Sequence, residues 1–114
     1  MVVEDELMLQ EVYKLVLETR GFSVTTANNG AEALEKLGAM EPDVILLDML
    51  MPVMGGKEFM NTVELNNYPN TKVIVYSNLS DSATEAEMLE LGAQRVILKS
   101  SMAPDDLVEL IENI

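Results

Sequence analysis

Apolar and polar positions fall along this chain in blocks of two kinds. Unbroken apolar runs bounded by turn formers read as strands buried on both faces: Val44–Leu47 running into Asp48, and Lys72–Tyr76 (KVIVY). Met1-Val2-Val3 is a short piece of strand, Phe22–Ala27 is a β-branched apolar run, and Arg95–Leu98 is a further strand. Between these runs the apolar residues recur at helical spacing. Glu6–Arg20 carries Leu9, Val12, Leu15, Val16 and Thr19; Ala31–Met40 carries Leu34 and Leu37; Gly56–Asn66 carries Phe59, Met60 and Val63. Ser82–Leu91 is a helix capped by Ser82 or Asp81, with Glu85 placed for a capping box if Ser82 is the cap. A last helix starts with Pro104 at its first position and runs Leu107, Leu110, Ile111 and Ile114 down one stripe. Gly21, Asn28-Asn29-Gly30, Tyr68-Pro69-Asn70 and Gly92 punctuate the pattern.

Strands that alternate with helices build βα units around a parallel sheet. The expectation is therefore one α/β domain over residues 1–114: a flavodoxin-like, doubly wound parallel sheet of five strands in order 2-1-3-4-5, helices on both faces. A strand ordinarily has about 5–6 residues, so the first strand is truncated.

Composition narrows the chemistry. The chain is 48% hydrophobic with few aromatics and no Cys or His. A disulfide, a thiolate metal site and an imidazole base are excluded. Carboxylates, hydroxyls, Lys and Arg remain, which suit hard cations such as Mg²⁺. No apolar run approaches the ~20 residues of a bilayer span, and no signal peptide is visible, so no membrane and a cytoplasmic location are expected. A formal charge of −13 argues against direct nucleic acid binding by this domain.

Parallel strands bring their carboxyl ends to one sheet edge, where α/β proteins bind ligands. Four strands end here in polar residues: Glu4-Asp5, Asp48, Ser77 and Lys99. Carboxylates gathered there repel one another unless a cation intervenes. Mg²⁺ fits an all-oxygen site, and Asp48 could then attack a phosphoryl group to form an acyl phosphate. Lys99 and Ser77 would stabilise the transferred oxygens. Each residue also has a plainer role: Asp48 as a cap or turn former, Glu4 and Asp5 beside a helix start, Ser77 in a turn, Lys99 as a solvated strand end.

Together these residues resemble the receiver domain of bacterial two-component response regulators. The likeness covers essentially the whole chain. It includes Glu4-Asp5, the segment LLDMLMPVMGG from Leu46 to Gly56, Ser77 after VIVY, Gly92-Ala93, and Lys99 after VIL. The resemblance implies that Asp48 accepts a phosphoryl group from a histidine kinase or a histidine phosphotransfer protein. It implies Mg²⁺ held directly by Asp5, Asp48 and the Leu50 carbonyl, and by Glu4 through water. Ser77 stands at the hydroxyl switch position and Lys99 at the phosphoryl-contacting lysine. The signal would pass to a fused output domain or a docking target through the helix from Ser82, the strand Arg95–Leu98 and the last helix, a face that could also form a dimer. Such a domain is a signalling module with weak phosphoryl-transfer and autodephosphorylation activity rather than an enzyme.

The chain departs from the family pattern in places. Val96 stands where the family usually has an aromatic switch residue. Ser100 follows Lys99 where the family has a cis proline; a non-proline cis bond costs roughly 2.5–4 kcal/mol, so a trans bond and a rearranged loop are expected. Leu50 and Leu79 are apolar at positions bordering the hydrolytic water path. The alternative is a phosphorylation-independent docking module of the same fold. A flavin protein would need a phosphate-cradling loop where Glu4-Asp5-Glu6 stands. An aspartyl-phosphate hydrolase would usually carry an acid at Leu50.

Overall fold

A computed structural model describes residues 1–78 and 82–114, the side chains of Ser82 and Ser101 apart. Leu79 and the Asp81 or Ser82 cap lie outside the described residues. The strands are β1 (Val2–Val3), β2 (Thr26–Ala27), β3 (Val44–Asp48), β4 (Lys72–Ser77) and β5 (Arg95–Leu98). They form one parallel sheet in the order β2-β1-β3-β4-β5, as the βα alternation predicts. Helices α1 (Leu7–Thr19), α2 (Gly30–Leu37), α3 (Gly56–Thr62), α4 (Ser82–Glu90) and α5 (Pro104–Glu112) connect and follow them.

Period-two alternation sorts the strand residues between two cores. Val3, Ile45, Leu47, Val73 and Val75 pack with Ala33, Leu37, Phe59, Met60 and Met88. Val2, Leu46, Ile74 and Tyr76 pack on the other face with Tyr13, Leu17, Leu107, Val108 and Ile111. The inner strands therefore read as continuous apolar runs, because both faces are covered.

Some sequence expectations shift. Phe22–Ala27 shortens to Thr26–Ala27, because β2 pairs only with the two residues of β1 (Val2↔Thr26, Val3↔Ala27) and a strand needs a partner to extend. The buried face of α1 is Gln10, Tyr13 and Leu17, while Val12 and Leu15 point to solvent. The helix expected over Gly56–Asn66 ends at Thr62, and a 3₁₀ turn follows at Leu65–Asn67. Among the described residues no peptide bond is cis, so Lys99–Ser100 is trans, and Lys99–Ser101 forms a 3₁₀ turn. No helix among the described residues is long and apolar enough to cross a membrane.

Candidate functional site

The register builds the site. Val3 lies beside Leu47, and Asp48 beside Tyr76. Glu4 follows Val3 and Asp48 follows Leu47, so the two carboxylates leave adjacent strands at one level of the sheet. Ser77 closes β4 opposite Leu98, and Lys99 comes next. The carboxyl ends of β1, β3, β4 and β5 thus deliver all these groups to one edge.

The turn after Asp48 is tight. A Cβ on Gly56 would lie 2.5 Å from the Asp48 carbonyl oxygen and one on Gly55 would lie 2.9 Å from that of Met49, so only glycine lets the chain fold back here. Val53 takes φ 67° in the same loop, a conformation a β-branched residue rarely adopts.

A cavity of about 370 Å³ is lined by Glu4, Asp5, Asp48, Leu50, Ser77 and Lys99, with Glu6 and Asn78 completing it. Every site residue singled out in the sequence therefore meets in one place. Lys99 Nζ lies 3.1 Å from Asp48 Oδ1 and donates to Glu4 Oε1 at 3.3 Å. Glu4 is 1% exposed and Asp48 4%, whereas Asp5 is exposed. The Leu50 N–H points back at Asp48 Oδ1 at 3.4 Å. Ser77 is buried.

The electrostatics follow from this packing. Burial, then the neighbouring Glu4 carboxylate, pushes Asp48 up to about 6 against the pull of Lys99. Burial also acts on Glu4, but the Glu6 N–H, the Asp48 side chain, Tyr76 and Lys99 together hold it below its ordinary value. Burial and Glu4 raise Asp5. Burial alone would lower Lys99, but Asp48 and Glu4 hold it above the usual lysine range.

Oxygens of Glu4, Asp5 and Asp48 lie within 4.8 Å of one another and could hold a metal ion. The donor set, carboxylates with no His or Cys, is one for hard cations. Nucleophile, cation and acidic trio together can support group transfer to a carboxylate.

Two residues of the site escaped the sequence reading. Tyr76 is 1% exposed and its hydroxyl donates to Glu4 Oε1 at 2.9 Å. Gln10, also buried, donates through Nε2 to the Glu4 carbonyl at 2.8 Å and to Asn28 Oδ1 at 3.0 Å, pinning the end of β1 to the turn after β2. The signal for Tyr76 was its parity: it shares the row and face of Asp48. The signal for Gln10 was an amide one helical turn before Tyr13 and two before Leu17, on a buried face.

Comparison with known proteins agrees with this geometry. The family model described as response regulator receiver domain matches residues 1–112. The chain is 38% identical over 91 residues to the transcriptional regulatory protein LnrK of Bacillus subtilis, covering 80% of this chain and 40% of that regulator. It is 30% identical over 115 residues to the chemotaxis protein CheY of Thermotoga maritima, covering 100% of this chain and 94% of that one. Among solved structures, a CheY-like receiver domain protein from Methanospirillum hungatei superposes with a TM-score of 0.89 at 27% identity, over 98% of this chain and 88% of that one.

Proposed function

The chain belongs to the response regulator receiver domain family of two-component signalling, and from that premise we propose that it is a phosphoryl-accepting switch acting through Asp48. The observation that carries this is the bridge from Lys99 to both Asp48 and Glu4 inside a cavity that also holds Asp5 and Ser77.

An Asp48 oxygen attacks the phosphorus of a phosphohistidine on a histidine kinase or histidine phosphotransfer protein. The P–N bond breaks, its electron pair stays on the imidazole, and an acyl phosphate forms on Asp48. At pH 7 Asp48 is above its raised pKa of about 6 and available as the carboxylate. Lys99 follows the charge from the Asp48 oxygen to the transferred oxygens, and the Ser77 hydroxyl donates to one of them. Asp5, Asp48 and the Leu50 carbonyl would hold Mg²⁺, with Glu4 acting through water. When bound, that ion neutralises charge on the carboxylates and on the transferred phosphoryl oxygens. Attack by water on the phosphorus later returns Asp48 and inorganic phosphate.

Recruitment of Ser77 and Lys99 by the phosphoryl group biases the α4–β5–α5 face between two arrangements. A docking target, a second copy or a fused output domain would read that face. Val96 is half-buried where an aromatic would report the switch, which favours the phosphorylation-independent docking module as a second reading. Incubation with acetyl phosphate separates the two. The switch reading expects a labile gain of one phosphoryl group by intact mass, Mg²⁺-dependent and absent in Asp48→Ala. No adduct on folded protein would leave the docking module.

A further inference from the structure

Tyr76 occupies a position where the strand pattern calls for an aliphatic residue. It stands on β4, yet its hydroxyl bonds to Glu4 beyond β1, two strands away, with β3 between them. Its side chain therefore spans the row that contains Asp48. Tyr13 packs edge-on against the ring, centroids 5.5 Å apart at 76°, and Lys99 Nζ sits 4.9 Å from the ring centroid. This packing fixes the phenol in one orientation.

Glu4 is held from three sides. Oε1 accepts from Tyr76 at 2.9 Å and from Lys99 at 3.3 Å, and Oε2 accepts from the Glu6 N–H at 3.1 Å. The two donors on Oε1 differ in kind. Lys99 also faces Asp48 at 3.1 Å and must turn toward whatever charge arrives there. Among the described residues the Tyr76 hydroxyl bonds only to Glu4. A phenylalanine would fill the same space, so what the hydroxyl adds is orientation of this carboxylate.

Building on the Mg²⁺ site proposed above, we propose that Tyr76 is a positioning residue for that site, fixing the Glu4 carboxylate so that it can serve the ion while Lys99 is free to move to the phosphoryl group. Hydrogen bonds that orient a metal's acidic partners are typically worth 10–100-fold in metal affinity. Glu4 deprived of Tyr76 keeps its charge, its burial and the Glu6 N–H but loses the one donor on Oε1 that does not also serve Asp48.

The test is calorimetric titration of Mg²⁺ into the protein and into Tyr76→Phe, alone and combined with Glu4→Gln, with melting curves in EDTA run alongside. The expected result is a Kd about 10-fold weaker in Tyr76→Phe, and less than a twofold effect of the same change once Glu4 is Gln. A Kd within twofold of the parent, a tighter Kd, or an equal loss in both backgrounds would overturn the proposal. Parent protein that binds no Mg²⁺ would remove the metal site itself and this role with it, a distinct outcome. Should Tyr76→Phe not fold, the Tyr76 hydroxyl proton of the parent is followed by NMR. A slowly exchanging signal that shifts on adding Mg²⁺ supports the proposal, and one that ignores Mg²⁺ refutes it.

Discussion

Asp48→Asn should make the metal-free domain more stable, although it removes the proposed phosphoryl acceptor. Asp48 is 4% exposed, and its pKa rises from 3.8 to about 6 on folding. The rise is caused first by burial and then by Glu4. A shift of that size means the ionised side chain costs the folded state about 3 kcal/mol at neutral pH. Asn keeps the shape and drops the charge. It weakens the 3.1 Å contact to Lys99, which keeps Glu4 as its partner. The raised value already includes the pull of Lys99, so the loss of that contact is counted and the net stabilisation is about 3 kcal/mol. The pH dependence has a fixed sign. The folded-state pKa is raised, so the folded carboxyl binds its proton more tightly than the unfolded one. Stability from this group is fullest below 3.8 and is lost as pH rises through about 6. The advantage of Asn should therefore be full at pH 7.5 and fall to about half at pH 5. Urea unfolding in EDTA at both pH values measures it. Saturating Mg²⁺ should then raise the stability of the parent and not of Asp48→Asn. Asn less stable than Asp at pH 7.5, or an advantage flat from pH 5 to 7.5, would refute the electrostatic account.

Three further substitutions probe the rest of the site. Val53 is 81% exposed with φ 67°, so Val53→Asn should stabilise by about 1 kcal/mol in urea unfolding by relieving left-handed strain; a destabilisation would contradict that loop geometry. Gly56→Ala places a Cβ 2.5 Å from the Asp48 carbonyl oxygen and should cost about 2 kcal/mol or more, with slower Asp48 phosphorylation, because backbone must shift; a neutral effect would show the turn to be looser. Lys99→Gln should slow phosphorylation by acetyl phosphate by roughly 10²–10³-fold, the usual loss for one charge-stabilising donor; an unchanged rate would remove Lys99 from the chemistry.

Much of the fold lay in one physical regularity. Buried parallel strands carry apolar residues on both faces, so Val44–Leu47 and Lys72–Tyr76 stood out, and the exit residues Asp48 and Ser77 with them. The shared sheet edge then assembled Glu4, Asp5, Asp48, Ser77 and Lys99 with no distance known. Legibility failed where a local pattern yields to a tertiary partner. Phe22–Val24 has strand composition, but β1 is too short to reach it, its first residue Val2 already donating to the Thr25 carbonyl. Val12 and Leu15 have helical spacing, yet α1 buries Tyr13 and Leu17 against the sheet core and Gln10 against the end of β1. Tyr76 read as one more apolar strand residue. Its hydroxyl matters only because β3 separates it from Glu4 by the width of a ring, and that distance follows from strand order rather than from any local motif.

The central claim is that Asp48 takes the phosphoryl group. Treating the acetyl phosphate product with borohydride converts an aspartyl phosphate to homoserine, and peptide mass spectrometry locates it. The account predicts homoserine at position 48 and at neither Asp5 nor Glu4, dependent on Mg²⁺. Homoserine at another carboxylate, or none from a folded and metal-loaded protein, would contradict it.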